Sequence, residues 1–263
     1  MSGRAPGQDD RVSVPSDTYS REYFLTECDG HEEYLQGRLT PRLEAALALA
    51  GDLSGKRVLD VGCGRGEVVL HCARHGAKAY GVDYSADALQ LARQGAAGNE
   101  TYWQRADAGH LPFQDRTFDW VLMLDIVEHL HPAELAAALV DVRRVLKPEG
   151  RLIVHTMPNL WYYRVGYPLY RLVQRLRGKV LPRDPRARWQ FVATVHVNEQ
   201  TPLTLRRALR EAGLPARVWL QPTQSYSDER NPWVRGIMHL LATVYPFRWV
   251  FCDDIFALAR KAP

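Results

Sequence analysis

The chain has 263 residues, 46% of them apolar, with 34 basic and 30 acidic side chains and a net charge of +4. This is ample for one large domain with its own core, and no uncharged run reaches the ~18 residues of a membrane-spanning helix. The charge is too mild to argue for nucleic acid by itself. The four cysteines, Cys28, Cys63, Cys72 and Cys252, have neither paired nor metal-type spacing, which makes a reducing cytoplasm the default setting.

Residues 1–16 are polar, contain Gly and Pro and lack the apolar stretch of a signal peptide, so a disordered tail is expected there. A single domain is expected over 17–263. It begins with a helical cap at 17–50, where Leu43, Ala46, Leu47 and Ala50 recur at helical spacing. Strand and helix then alternate. Strands are expected at 57–62, 78–83, 101–106, 118–125 and 151–157, and helices at 67–76, 86–97 and 132–146, the last with Pro132 in its first turn. A helix at 202–213, a strand at 216–221 and a strand at 254–260 follow. The alternation predicts an α/β fold. Residues 51–158 read as a ligand-binding core and 200–263 as the C-terminal part of the sheet. Two connections, 159–199 and 224–250, are longer than simple turns and point to functional segments.

The segment Arg57-Val-Leu-Asp-Val-Gly-Cys-Gly-Arg-Gly-Glu67 is a buried strand that breaks into three alternating glycines and enters a helix. Gly62, Gly64 and Gly66 permit a tight turn and a close approach of backbone amides to a ligand. The spacing is G-x-G-x-G, whereas dinucleotide folds want G-x-G-x-x-G. Asp60, two residues before the first glycine, would repel a pyrophosphate and suit the cationic end of a ligand.

Asp60-x-Gly62-x-Gly64-x-Gly66 resembles motif I of the class I S-adenosylmethionine-dependent methyltransferases. Four further segments match that family in order across residues 57–155. Ala79-Tyr-Gly-Val-Asp-Tyr84 places Asp83 to accept from the ribose hydroxyls and Tyr84 beside the adenine. Gln104-Arg-Ala-Asp-Ala108 implies an adenine contact from Asp107 and the Ala108 amide. Phe118 to Leu130 contains a central strand with polar residues just past it, and Val145 to His155 carries the Lys-Pro-Glu-Gly turn common in the family. The resemblance implies a Rossmann-like seven-stranded methyltransferase sheet with an N-terminal helical cap and an inserted lid. It implies S-adenosylmethionine as cofactor and S-adenosylhomocysteine as product, held by Asp60, Gly62, Cys63, Gly64, Asp83, Tyr84, Asp107, Ala108 and Asp125.

Methyl transfer from a sulfonium needs alignment, and a base only for a poor nucleophile such as a hydroxyl. Asp125, Glu128 and His129, at i, i+3 and i+4, would share one face of a helical turn where the acceptor meets the methyl. His129 is the candidate base, oriented by Glu128, and His196 is the second candidate. The plain alternative for Glu128-His129 is that the pair caps or solvates the turn, and for His196 a hydrogen-bonded structural histidine. Asp125-x-x-Glu128-His129 also resembles the Glu-x-x-Glu-His pattern of metal-dependent O-methyltransferases, with His155 or His196 as a distant ligand, but a metal is not the favoured reading.

From Arg164 to Arg188 the chain holds seven arginines, one lysine and one aspartate, interleaved with aromatic residues. Pro168 to Gly178 reads as a lid helix. Its stripe of Leu169, Leu172, Val173 and Leu176 is expected to pack on the domain, with the arginines solvated or meeting an anionic group. A second stripe, Val234, Ile237, Leu240, Leu241 and Val244, is expected to pack into the core against this lid, the alternative being a membrane surface. The expected reaction is O-methylation of a small-molecule or glycan-like acceptor. The alternatives are an RNA ribose, a lipid-linked acceptor, or binding of the cofactor without catalysis.

Overall fold

The computed structural model describes residues 14–96, 100–188, 192–223, 226 and 229–262. The tail expected at 1–16 falls outside this range up to residue 13; Ser16 already opens a short 3₁₀ turn. Two helices of the cap, α1 (His31–Leu35) and α2 (Pro41–Ala48), precede the sheet. Then come β1 (Arg57–Val61), α3 (Glu67–Arg74), β2 (Lys78–Asp83), α4 (Ala86–Gly95), β3 (Thr101–Arg105), β4 (Phe118–Leu124), α5 (Pro132–Val145) and β5 (Leu146–Thr156). The chain continues through α6 (Tyr167–Leu176), α7 (Val192–Val195), α8 (Pro202–Glu211), β6 (Ala216–Leu220), α9 (Pro232–Thr243), α10 (Arg248–Phe251) and β7 (Ile255–Arg260).

One seven-stranded sheet runs in the order β3-β2-β1-β4-β5-β7-β6. β7 is the antiparallel strand, slotted between β5 and β6. The central strands are mostly apolar because helices cover both faces: Val58, Leu59 and Val61 of β1 and Val121 to Leu124 of β4 are all buried. The helices start where side chains cap them. The Ser85 hydroxyl accepts from the Ala88 amide at the start of α4. Glu134 accepts from the His131 amide at 2.8 Å ahead of α5, and Thr201 caps α8. One expectation needs correcting. The Lys147 to Gly150 turn is absorbed into the start of β5, which pairs with Phe118 before the register shifts at Trp120.

Strand order reverses between β1 and β4, which opens a crevice beyond their C-terminal ends. The glycine loop sits at that edge. Gly66 has φ +81°, and a Cβ there would meet the Trp103 ring at 2.5 Å and Ala92 at 2.8 Å. The third glycine therefore allows α3 to close against β3 and α4. Gly66→Ala is expected to cost about 2–4 kcal/mol through strain and overpacking, read as a lower urea midpoint at unchanged slope.

The lid helix exists, but its orientation corrects the expectation. α6 turns Tyr167, Tyr170 and Gln174 inward and leaves Leu169, Leu172, Val173 and Leu176 exposed. The inward side chains have partners to satisfy. The Tyr167 hydroxyl donates to the Pro182 carbonyl at 2.9 Å, and the Tyr170 hydroxyl and the Gln174 amide both reach Glu229. On α9 the buried residues are Met238 and Ala242. Ile237, Leu240 and Val244 of the predicted stripe face outward, and Val234 and Leu241 are half-buried.

Candidate active site

All nine predicted cofactor residues, from Asp60 to Asp125, line one cavity of about 700 Å³. The glycine loop shapes it by leaving out side chains. A Cβ on Gly62 would lie 2.5 Å from Ile126, across the crevice. Several of the loop's amides are already engaged within the protein, contrary to expectation. Those of Gly62 and Cys63 donate to the Val82 carbonyl at 2.8 and 3.0 Å, and that of Gly64 donates to Asp83 Oδ2 at 2.9 Å. Asp83 also accepts from the Ser85 amide at 2.8 Å, so both carboxylate oxygens are fixed and each keeps a lone pair for a ligand. Burial raises the Asp83 pKa, and the Ser85 and Gly64 amides work against that rise. Asp60 is raised well above the usual range by burial and by Glu67 and Asp83 nearby. A cationic ligand would reverse that, as the sequence reading of Asp60 requires.

The cap is bolted onto this loop. Arg65 donates to the Phe24 carbonyl at 2.9 Å and the Asp29 carbonyl at 3.1 Å, and pairs with Glu67 at 2.8 Å. The Ser85 hydroxyl donates to the Tyr19 carbonyl at 2.7 Å. Tyr84 lines the cavity with its hydroxyl on the Val14 carbonyl, while Asp107 receives the Gly109 amide at 2.7 Å.

The turn after β4 separates the three residues grouped by the sequence pattern. Asp125, at φ +56°, is engaged by Arg42 Nε at 2.7 Å and by His155 Nδ1. Arg42 also pairs with Asp29 at 2.6 Å, and His155 Nε2 pairs with Asp254 at 3.2 Å. Burial opposes the Asp125 charge, but Arg42 and His155 hold its carboxyl far below the usual range. Its side chain is thus committed to an ion cluster although it borders the cavity. His155 is fully buried between two aspartates, which makes it a structural cation and not the distant metal ligand.

Burial alone would depress His155, but Asp125 and then Asp254 push it up to about 9 from 6.5. A raised folded-state pKa means that the native state holds the extra proton. The stabilisation is complete below pH 6.5 and is lost as pH rises through about 9. The unfolding free energy from urea titration should fall across that window by roughly 3 kcal/mol, and His155→Asn should flatten this part of the profile. Glu128, also held protonated, gives a loss of the same sign at lower pH, so the variant comparison isolates His155.

Glu128, His129 and His196 converge on the cavity, with a ligand atom of each within 4.8 Å of the others. Glu128 does not orient His129, as the sequence suggested. It accepts from the Thr156 hydroxyl at 2.7 Å, while Tyr19 Oη sits 3.0 Å from His129 Nδ1. The Glu128 carbonyl receives the Val197 and Asn198 amides, which sets His196 edge-on to His129 with ring centroids 4.9 Å apart. Burial, then Asp125, raises Glu128 to about 8. Burial, then His196, lowers His129 to about 3, and burial lowers His196 to about 4. Both imidazoles are therefore neutral and weakly basic. His196 Nδ1 is buried with no hydrogen-bond partner among the described residues.

Sequence reasoning missed Tyr19, Arg42 and Asp254. An arginine in helical register with Ala46 and beside Leu43, on an otherwise apolar face, was the one available signal for Arg42; Tyr19 and Asp254 gave none. The same cavity is also lined by Tyr162, Tyr163, Tyr167, Tyr170 and Tyr226.

A family model described as a methyltransferase domain matches residues 58–150. The demethylmenaquinone methyltransferase of Tropheryma whipplei is 38% identical over 139 residues, a match spanning 53% of this chain and only about half (55%) of that relative. The ubiquinone biosynthesis O-methyltransferase of Vibrio cholerae is 30% identical over 201 residues, covering 75% of this chain and 79% of the relative. Among solved structures, an S-adenosylmethionine-dependent methyltransferase from Mesorhizobium loti superposes with a TM-score of 0.61 at 19% identity, covering 84% of this chain and 98% of that one. With the glycine loop, the two strand-end carboxylates and the sheet order in place, the chain belongs to the class I S-adenosylmethionine-dependent methyltransferases.

Proposed function

We propose that this chain transfers a methyl group from S-adenosylmethionine to a hydroxyl oxygen of a small aromatic acceptor. The observation that carries the reading is the single cavity. It joins the glycine loop and Asp83 to the Glu128, His129 and His196 cluster and to a wall of five tyrosines. Tyrosine faces suit a flat ring, and the O-methyltransferase relative's name points to a quinone-type acceptor.

The bound cofactor supplies a methyl on a good leaving group. Asp83 would hold the ribose, Asp107 and Ala108 the adenine, and Asp60 the amino group. In this reading Glu128 removes the hydroxyl proton. Its carboxyl titrates near 8, so it is a far stronger base than either imidazole once ionised. His129, fixed by Tyr19, and His196 accept hydrogen bonds from the acceptor and orient its oxygen. The four free cysteines suit a cytoplasmic setting. The test is turnover of methyl-labelled cofactor with a panel of phenols and catechols. Label in a ring hydroxyl supports the reading. Binding of S-adenosylhomocysteine with no turnover on any phenol, or label in a glycan or RNA instead, overturns it.

A second reading is favoured by the donor set. One carboxylate and two neutral imidazoles, one with an orphaned buried nitrogen, have the chemistry of a divalent-ion site. The ion would ionise Glu128 and lower the pKa of an adjacent hydroxyl. Complete loss of activity in a chelator, restored by Mg²⁺, would support this version; full activity in the chelator would leave Glu128 as the base.

A further inference from the structure

We infer that the outer face of α6 and α9 docks on an anionic lipid bilayer. The two helices carry their apolar stripes on the wrong side for a core. On α6, Leu169, Leu172, Val173 and Leu176 stand at i, i+3, i+4 and i+7, and Leu172 and Leu176 are 54% and 81% exposed. On α9, Trp233, Ile237, Leu240 and Val244 repeat the pattern, with Trp233 82% exposed. Tyr245, Phe247 and Trp249 continue the exposed aromatic surface after α9. A single exposed leucine is ordinary, but two complete helical stripes are not.

α6 is tied to the α9–α10 segment at both of its ends. Gly166, at the start of α6, packs so closely on the Val250 carbonyl of α10 that a Cβ would lie 1.9 Å from it. At the other end of α6, Gln174 and Arg177 bind Glu229, whose carboxylate also receives the Asn231 amide at the cap of α9. Neither helix is long and apolar enough to cross a membrane. Short helices with an apolar stripe, interfacial tryptophan and flanking arginine lie in the headgroup region instead.

Charge selects the occupant. Arg164, Arg175, Arg183, Arg230 and Arg235 are exposed around the stripes. From Arg230 to Val250 the sequence contains three arginines and no acid. A second copy of this face would bring like charges together, whereas an anionic headgroup layer is complementary. The inner face of α6 contributes Tyr167 and Tyr170 to the cavity, so one helix thickness separates the bilayer from the site. The docking itself does not depend on which acceptor the site uses.

The experiment is flotation of the full chain with vesicles of equal phosphatidylcholine and phosphatidylglycerol, against phosphatidylcholine alone. Binding should require the anionic lipid and weaken by about tenfold or more on raising salt from ~0.1 to ~0.5 M. Leu172→Glu with Leu176→Glu, and separately Trp233→Glu, should each weaken it by about tenfold or more while S-adenosylhomocysteine affinity and melting temperature stay at wild type. These positions are exposed, so the variants should fold, and cofactor binding checks that they do. Wild-type protein that stays unbound to anionic vesicles overturns the proposal. So does equal binding to both lipids, or a dimer in solution that the Leu172→Glu, Leu176→Glu variant splits.

Discussion

Asp83→Ala should weaken S-adenosylhomocysteine binding by about two to four decades, because two charge-assisted hydrogen bonds worth roughly 1.5–3 kcal/mol each would be lost. The structure gives the substitution a second consequence. The Gly64 and Ser85 amides, which now donate to the carboxylate, would be left buried and unpaired, and the loop they fix would loosen. Asp83→Asn separates the two contributions, since it keeps an acceptor but must turn its amino group toward one of those amides. Calorimetry on both variants measures this. An alanine variant that binds within a few-fold of wild type would show that the ribose lies elsewhere.

Glu128→Gln should lower the catalytic rate by roughly 10²–10⁴-fold while cofactor affinity barely changes. The pH profile carries the sign. A base whose pKa is about 8 is mostly protonated at neutrality, so the wild-type rate should rise through pH 8 and then level. The Gln variant should lose that rise. His129→Ala should also slow turnover, but with its imidazole titrating near 3 it should leave the limb at pH 8 in place. A wild-type profile flat from pH 6 to 9 with a fully active Glu128→Gln enzyme would remove Glu128 from the chemistry.

The cofactor half of the site was readable because it is local. A strand, a glycine turn and a helix fix one another within a dozen residues, and an acid at a strand end is carried to the crevice by the topology that the alternation of elements already dictates. Asp60, Asp83 and Asp107 therefore arrive at one cavity from their sequence positions alone. The acceptor half was readable in composition only. Glu128, His129 and His196 were named and do converge, yet their contacts were not foreseen: Glu128 bonds Thr156 and not His129. Spacing assumed one helical face, while the chain makes a 3₁₀ turn at Val127–His129, with Asp125 in the left-handed region and Glu128 buried against Thr156.

By itself the sequence determined the sheet, the cofactor class and the existence of two amphipathic segments, because each depends on periodicity or on a short contiguous motif. Only the tertiary structure decided the rest. The cluster Arg42–Asp125–His155–Asp254 joins residues from four distant parts of the chain, and its pKa shifts arise from burial and partners that no local pattern encodes. The direction of the α6 stripe was likewise undetermined. A helical period says that one face differs from the other. Which face turns inward depends on what the neighbouring elements offer, and here Glu229 and the Pro182 carbonyl offered hydrogen bonds that draw the tyrosines and Gln174 in and leave the leucines outside.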